Sequence, residues 1–296
     1  MARRPESTLK TIELMRGTFP HNSVRREVQA CEPTRRLADL VLEEEVAGVW
    51  RRVLAEHAAA ERLHQHGLQP TRKALLLGPP GCGKTATAEA MARELGLPLL
   101  RCDASTLVRS HMGETSQRVA DVLAWARELP AVWLFDEFEA LASRRVLDAE
   151  GVNREAGRTV TAMLLGLDAW APAGGMLIAA SNMSGALDHA LLRRFDVVMR
   201  YEHPSAVHLA RIAKKAAAAV ALDTRAVDWL AIERHVERIS PADVEAAVRL
   251  AATAAIVARR EALTTEDLQE AMVALRARAR AFGVATVTDL VSQGER

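Results

Sequence analysis

The run Gly78-Pro-Pro-Gly-Cys-Gly-Lys-Thr85 decides the fold of this chain. The short apolar stretch 73–77 precedes it, and this combination predicts a buried strand, a tight loop and then a helix. In such a loop, backbone N–H groups converge on phosphate oxygens, and the helix N-terminus adds positive potential. The run therefore predicts a nucleotide-binding loop made of Gly78, Pro79, Pro80, Gly81, Cys82, Gly83, Lys84 and Thr85.

Each residue type in this loop has its own expected task. The Lys84 ammonium should reach the β and γ phosphates of a bound triphosphate, and the Thr85 hydroxyl should ligate Mg²⁺. Glycine at positions 81 and 83 allows positive φ angles and a close approach of the backbone. Cys82 occupies a variable position of the loop, where passive filling is favoured over redox sensitivity.

Two acidic residues follow the next strongly apolar strand, Val132 to Phe135. Asp136 and Glu137 should lie at the carboxyl end of that strand, where open α/β sheets bind their ligands. We expect Asp136 to hold Mg²⁺ through its water shell and Glu137 to polarise the attacking water. Glu139, further along the loop, is expected to be structural.

Three polar residues near the end of the same region complete the predicted site. Asn182 ends the apolar strand 176–181, so its amide can bind the γ-phosphate or the attacking water; an ordinary turn residue is the alternative. Arg193 and Arg194 are adjacent, and such pairs usually face solvent. Here they precede another strand, where a subunit edge can project an arginine into the neighbouring protomer's site.

Apolar strands alternate with helical stretches up to about residue 203, which predicts βαβ units around a parallel sheet. The predicted strands are 73–77, 98–101, 131–135, 176–180 and 197–201, and the predicted helices are 40–64, 84–95, 114–128, 153–167 and 187–193. After Pro204, four helices fit near 205–219, 224–236, 241–259 and 265–281. We therefore expect an N-terminal arm (1–35), an α/β nucleotide-binding domain (36–203), a small all-helical domain (204–281) and a C-terminal tail (282–296).

Composition narrows the setting and the partners. No apolar run of the 296 residues approaches 18, which argues against a membrane span, and the N-terminus lacks the apolar region of a secretory signal. The three cysteines are scattered, which favours a reducing cytoplasm. A net charge of +1 gives no global case for nucleic acid, and only the mainly basic arm supports that class of partner. The arm itself is either partly ordered or a docking segment.

Together these motifs resemble the AAA ATPases, and within AAA+ the AAA-proper branch, from about Leu37 to Leu275. The most specific stretch is LDHALLRRFD, residues 187–196, which is similar to that branch's second region of homology. The resemblance implies a P-loop NTPase sheet with a helical AAA lid, hydrolysis of ATP with Mg²⁺, and a homo-oligomeric ring, which we expect to be a hexamer. It makes Asn182 sensor 1 and Arg193 and Arg194 arginine fingers. Asp168 and Trp170 match its inter-subunit signalling segment.

The same resemblance assigns His111, Met112 and Gly113 to the first pore loop. The family usually places an aromatic residue there to grip a translocating peptide. An imidazole and a thioether offer less rigid contact area than Tyr or Phe, so this departure predicts a weaker grip.

Two functions from different classes follow. The leading hypothesis is an ATP-driven ring that remodels or unfolds a protein partner. The alternative is an ATP-gated scaffold or regulator of a partner enzyme, a protease or a nucleic-acid enzyme, without processive threading. The sequence does not name the partner in either case.

Overall fold

The computed structural model describes residues 27–109, 115–142, 150–170, 175–182, 187, 189–236 and 239–281. The predicted pore-loop residues His111, Met112 and Gly113 lie outside these ranges, as do residues 1–26 and the predicted tail. The chain divides into two compact units, the first comprising residues up to 40, 44–78 and 84–201, and the second 41–43, 79–83 and 202 onward. Each unit is described by itself below.

The first unit is built on a six-stranded sheet. In chain order its strands are β1 (Val28–Cys31), β2 (Lys73–Leu77), β3 (Leu99–Asp103), β4 (Val132–Asp136), β5 (Met176–Ser181) and β6 (Val197–Arg200). They lie in the order β1-β3-β4-β5-β2-β6, and only β1 runs antiparallel to its neighbour. Because the central strands are buried on both faces, their sequences are continuous apolar runs rather than alternating ones. The predicted parallel α/β sheet is confirmed.

The strand β1 lies within residues 1–35, which the sequence predicts to be an arm without a strand. Its four residues pair with β3, and the chain around it is held by side chains of the same unit. Glu27 forms an ion pair of 2.8 Å with Arg118, and the Glu89 carboxylate accepts hydrogen bonds from the backbone and the hydroxyl of Thr34. Residues 27–35 therefore belong to the sheet unit rather than to an arm.

Eight α-helices accompany the sheet in the described part of the first unit. They are α1 (Glu44–Ala58), α2 (Ala60–Gln65), α3 (Lys84–Leu95), α4 (Ala104–Arg109), α5 (Thr115–Ala126), α6 (Glu139–Ala142), α7 (Glu150–Asp168) and α8 (His189–Leu192). The single helix predicted over 40–64 is wrong in one respect: Ala59, with φ −100° and ψ 14°, interrupts it. The other predicted helices are present with bounds shifted by a few residues.

The core of this unit lies between the sheet and the helices α5 and α7. Trp125 on α5 packs edge-on against Trp133 of β4, with ring centroids 5.0 Å apart. The helices α5 and α7 approach closely at Gly166, where a β-carbon would lie 2.3 Å from the Leu123 side chain. A side chain at position 166 would therefore force the two helices apart.

The second unit contains the four helices that the sequence predicted. They are α9 (Ala206–Ala218), α10 (Trp229–His235), α11 (Pro241–Val257) and α12 (Thr265–Ala281). Ser240 caps α11 as expected, since its hydroxyl oxygen accepts a hydrogen bond from the Asp243 N–H at 3.2 Å. Alanines fill much of the core, which lets these helices pack closely. No helix within the described ranges is long and apolar enough to cross a bilayer.

Candidate active site

Strand order brings the predicted site residues of the first unit to one edge of the sheet. The strands β4, β5 and β2 are consecutive neighbours, and all three run parallel. The residues that follow their carboxyl ends are Glu137, Asn182 and Gly78, while Asp136 ends β4 itself. Open parallel sheets bind ligands at this edge.

The Lys84 side chain is held at the centre of this edge. It is only 6% exposed, and its ammonium donates to the Gly78 carbonyl at 2.6 Å and to the Asn182 side-chain oxygen at 2.9 Å. A buried ammonium requires such acceptors, because leaving it without them costs several kcal/mol. The cation is thus fixed where the phosphate loop begins.

Glycine is required at position 78 by a close approach of two backbones. A β-carbon there would lie 2.1 Å from the Tyr201 carbonyl oxygen, well inside any permitted contact. The Tyr201 N–H in turn donates to the Leu77 carbonyl, which extends the β2–β6 pairing by one bond. Gly83 has φ of +92°, a conformation that side chains rarely adopt.

Thr85 and Asp136 lie together, as two residues that share a cation should. The Thr85 hydroxyl donates to Asp136 Oδ2 at 3.2 Å, and Asp136 Oδ1 accepts from the Glu137 N–H at 3.2 Å. Hydroxyl and carboxylate oxygens are the hard ligands that Mg²⁺ prefers, usually with several waters retained. The donor set fits this ion, and these two residues could hold it.

The backbone at Glu137 is strained. Its φ is +52°, in the left-handed region that costs a non-glycine residue about 1–2 kcal/mol. The neighbouring residue fixes this conformation, since the Phe138 N–H donates to the Ala180 carbonyl of β5. The Glu137 side chain is exposed beside Asp136, so water reaches its carboxylate.

Glu139 holds the backbone of Asn182 from the helix α6. Both oxygens of its carboxylate lie 3.3 Å from the Asn182 N–H. This contact agrees with the structural role expected for Glu139. It also explains how the Asn182 amide is positioned against Lys84.

The two adjacent arginines differ in their surroundings. Arg194 Nε lies 3.2 Å from Asp168 Oδ1, and one of its terminal nitrogens donates to the Ala190 carbonyl. Arg193 is exposed, and within the described chain its guanidinium makes no hydrogen bond or ion pair. The structure therefore brings Asp168 to Arg194 in the same chain but not to Arg193. Trp170, the other predicted signalling residue, is buried.

Sequence reasoning missed two further features of this unit. Arg101, on β3, donates from Nη2 to Asp136 Oδ2 at 2.7 Å. Tyr201, the chain's single tyrosine, accepts from the Trp50 indole at 3.0 Å and donates to the Thr87 hydroxyl at 3.1 Å. Burial raises the pKa of Tyr201 to about 12. An arginine directly after the apolar residues Leu99 and Leu100 of β3 is the available signal for the first feature.

Comparisons with known proteins agree with this geometry. A sequence profile described as "ATPase family associated with various cellular activities (AAA)" matches residues 74–203. An uncharacterized AAA family ATPase of Sinorhizobium fredii is 37% identical over 245 residues, which cover 83% of this chain and 72% of that protein. The proteasome-activating nucleotidase of Thermococcus onnurineus is 36% identical over 219 residues, covering 72% of this chain and 54% of that protein. That of Pyrococcus horikoshii is 35% identical over 216 residues, with the same coverage.

Proposed function

We propose that this chain, which belongs to the AAA family of ATPases, is a magnesium-dependent ATPase. We further propose that it forms a ring and remodels a protein partner. The observation that carries the catalytic part is the convergence of Lys84, Asp136 and Asn182 at one sheet edge. The partner part is supported by the names of its relatives, several of which are proteasome-activating nucleotidases.

In the nucleotide-bound state, Lys84 would exchange its present acceptors for phosphate oxygens. Thr85 and Asp136 would hold Mg²⁺, which when bound neutralises charge on the transferring phosphoryl group. Glu137 would take a proton from the attacking water, and Asn182 would orient that water or the γ-phosphate. The general base is well suited to this task because it is exposed and adjacent to the magnesium carboxylate.

Arg193 is the side chain we assign to the neighbouring subunit's site. An arginine that contacts transferring phosphoryl oxygens from another chain accelerates such reactions by about 10³–10⁵. Arg193 is exposed and uncommitted within the described chain, which a group that acts in trans needs. A ring, most simply a hexamer, would then be required for hydrolysis.

The action on the partner is one of two kinds: remodelling by a ring or ATP-gated regulation of a partner enzyme. The chain spans about half the length of the proteasome-activating nucleotidases it matches, so their whole activity does not transfer to it. A remodelling ring needs a pore that grips a peptide, whereas an ATP-gated regulator of a protease or nucleic-acid enzyme does not. The histidine at position 111, where the family usually has an aromatic residue, is the reason to keep the gated regulator as the alternative to remodelling. We place the protein in the cytoplasm, since its three cysteines are free thiols.

The catalytic assignment is tested by a pair of substitutions. Glu137→Gln should retain ATP and trap the ring on its partner, because the base is lost while the phosphate contacts remain. Lys84→Ala should lose nucleotide and partner together. Affinity purification of both variants, with bound nucleotide and co-purifying proteins measured, checks this. Hydrolysis by Glu137→Gln at the native rate would overturn the assignment.

Substitutions of the predicted pore-loop residue His111 distinguish the remodelling ring from the gated regulator. His111→Ala should abolish remodelling of the trapped partner and leave basal hydrolysis nearly intact if the ring threads its substrate. His111→Tyr should preserve or strengthen the grip, because the aromatic ring offers more contact area. Unchanged remodelling by His111→Ala would favour the gated regulator.

A further inference from the structure

The ion pair between Arg101 and Asp136 occupies the position where the proposed function needs a metal. Arg101 lies on β3 and Asp136 ends the neighbouring strand β4, with Asp103 and Asp136 in register. The distance of 2.7 Å from Arg101 Nη2 to Asp136 Oδ2 is that of a charge-assisted hydrogen bond.

Arg101 contacts the same carboxylate oxygen as Thr85. Asp136 Oδ2 accepts from the Arg101 guanidinium and from the Thr85 hydroxyl, and Oδ1 accepts from the Glu137 N–H. Both oxygens are therefore already engaged by donors. A divalent cation that approaches Asp136 and Thr85 is repelled by the positive charge of Arg101, which contacts Asp136 Oδ2.

The arginine is free to leave, whereas the lysine of the same site is not. The Arg101 side chain is 43% exposed and Asp136 is 16% exposed, while Lys84 is 6% exposed. A partly exposed guanidinium can rotate into water at small cost, because water solvates the charge that the carboxylate no longer pairs. Displacement of Arg101 by a bound cation is thus energetically accessible.

We propose that Arg101 is a built-in counter-cation of Asp136 that competes with Mg²⁺ and sets the magnesium concentration at which nucleotide binds tightly. This inference rests on the proposed function, in which Thr85 and Asp136 hold the metal. Arg101 acts through Asp136 and is therefore a positioning residue rather than a catalytic one. Without metal, the Arg101 guanidinium neutralises the Asp136 carboxylate beside the phosphate site. When Mg²⁺ binds, the guanidinium moves away from that carboxylate.

Two effects of opposite direction follow from this competition. Removal of the Arg101 charge leaves Asp136 uncompensated, and its repulsion of a triphosphate should weaken the binding of ATP without metal. The same removal frees the carboxylate for Mg²⁺, so less magnesium should be needed to reach tight binding. A merely structural role for Arg101 would weaken binding under both conditions.

The test uses the full-length protein and a methylanthraniloyl derivative of ATP, whose fluorescence reports binding. Its affinity is measured in EDTA and during a titration with Mg²⁺, for the native protein, Arg101→Gln, Arg101→Lys and the control Arg62→Gln. Arg62 is an exposed arginine of α2, so its loss changes the net charge equally. Arg101→Met, which keeps the aliphatic stem, replaces Arg101→Gln should that variant fail to fold.

We expect Arg101→Gln to lower the half-saturating magnesium concentration about fivefold and to weaken metal-free binding by a similar factor. Arg101→Lys should stay close to the native protein because it keeps the charge, and Arg62→Gln should match it. A half-saturating concentration that is unchanged or raised in Arg101→Gln overturns the inference and leaves the proposed function standing. A native protein that binds the nucleotide without any dependence on Mg²⁺ overturns both.

Discussion

The Lys84 ammonium and the Asn182 side-chain oxygen are 2.9 Å apart, although the two residues lie 98 positions apart in the chain. This bond joins the first residue of the helix α3 to the residue that follows β5. It gives the amide a defined orientation, with its oxygen directed at the cation that we assign to phosphate binding. A nucleotide would therefore alter the environment of both side chains together.

Asn182→Ala should lower the rate of hydrolysis more than the affinity for ATP. The amide is expected to act on the attacking water or the γ-phosphate, whereas Lys84 and the loop backbone supply most of the ground-state contacts. We expect kcat to fall about 10- to 100-fold, by analogy with the loss of a single preorganised donor, with KM changed less than threefold. Steady-state kinetics measure both. A large rise in KM with native kcat would assign Asn182 to ground-state binding instead.

The two arginines should prove unequal when each is replaced. Arg193→Ala should lower hydrolysis about 10³-fold without weakening ATP binding, because the lost contact is to the neighbour's phosphoryl oxygens. Arg194→Ala should cost much less, since Arg194 is already paired with Asp168 in its own chain. The measurements are specific activity at several protein concentrations and sedimentation with and without ATP and Mg²⁺.

Asp168→Asn serves as the control for this comparison. If Arg194 acts through its ion pair, Asp168→Asn and Arg194→Ala should have similar effects, and the double variant should add little to either. Equal losses of ATP hydrolysis in Arg193→Ala and Arg194→Ala would show that both residues act as arginine fingers. The ring would be refuted if the protein sedimented as a monomer under every condition and its specific activity did not depend on protein concentration.

Tyr201→Phe should destabilise the first unit by about 1–3 kcal/mol. The substitution keeps the ring but removes the acceptor of the buried Trp50 indole N–H, and an unsatisfied buried donor costs this much. Urea denaturation followed by tryptophan fluorescence reports mainly on this unit, which contains Trp50, Trp125, Trp133 and Trp170. Thr87→Ser keeps a hydroxyl beside Tyr201 and is the control. A change below about 0.3 kcal/mol in Tyr201→Phe would show that water replaces the lost partner.

Acid should destabilise the helical unit through Asp267. Two hydrogen bonds from Arg260, at 2.7 and 2.8 Å, and others from Thr264 lower the pKa of Asp267 to about 2. Because the pKa in the folded state lies below its ordinary value of 3.8, the carboxylate's contribution is complete above about pH 5 and disappears as the pH falls toward 2.

Asp267→Asn should therefore lower thermal stability at pH 7, and the difference from the native protein should shrink between about pH 4 and pH 2. Thermal melts followed by circular dichroism at a series of pH values measure it. Asp223→Asn is a suitable comparison, since Asp223 also pairs with an arginine but is far more exposed. A stability difference that is constant with pH would mean that Asp267 acts through capping geometry rather than through its charge.

The elements that the sequence predicted well are those defined by neighbouring residues. The loop from Gly78 to Thr85, the acids that follow β4 and the Ser240 cap each depend on a few consecutive side chains and on backbone geometry. Apolar runs likewise marked the five parallel strands, most clearly β2, β4 and β5, because a strand buried on both faces is recognisable from its own composition. Local signals of this kind place residues on elements but do not pair the elements.

The tertiary structure decided which of these residues meet. Strand order sets Lys84 beside Asn182 and Arg101 beside Asp136, and neither contact has a periodicity or a spacing that a sequence displays. The strand β1 has only four residues, and it is defined by its pairing with the edge of β3. The sequence of those four residues therefore does not predict a strand. The same holds for Arg194, whose partner Asp168 lies 26 positions away and distinguishes it from the adjacent Arg193. Contacts between distant residues follow from packing and hydrogen-bond satisfaction across the whole sheet, and that information exists only once the chain has folded.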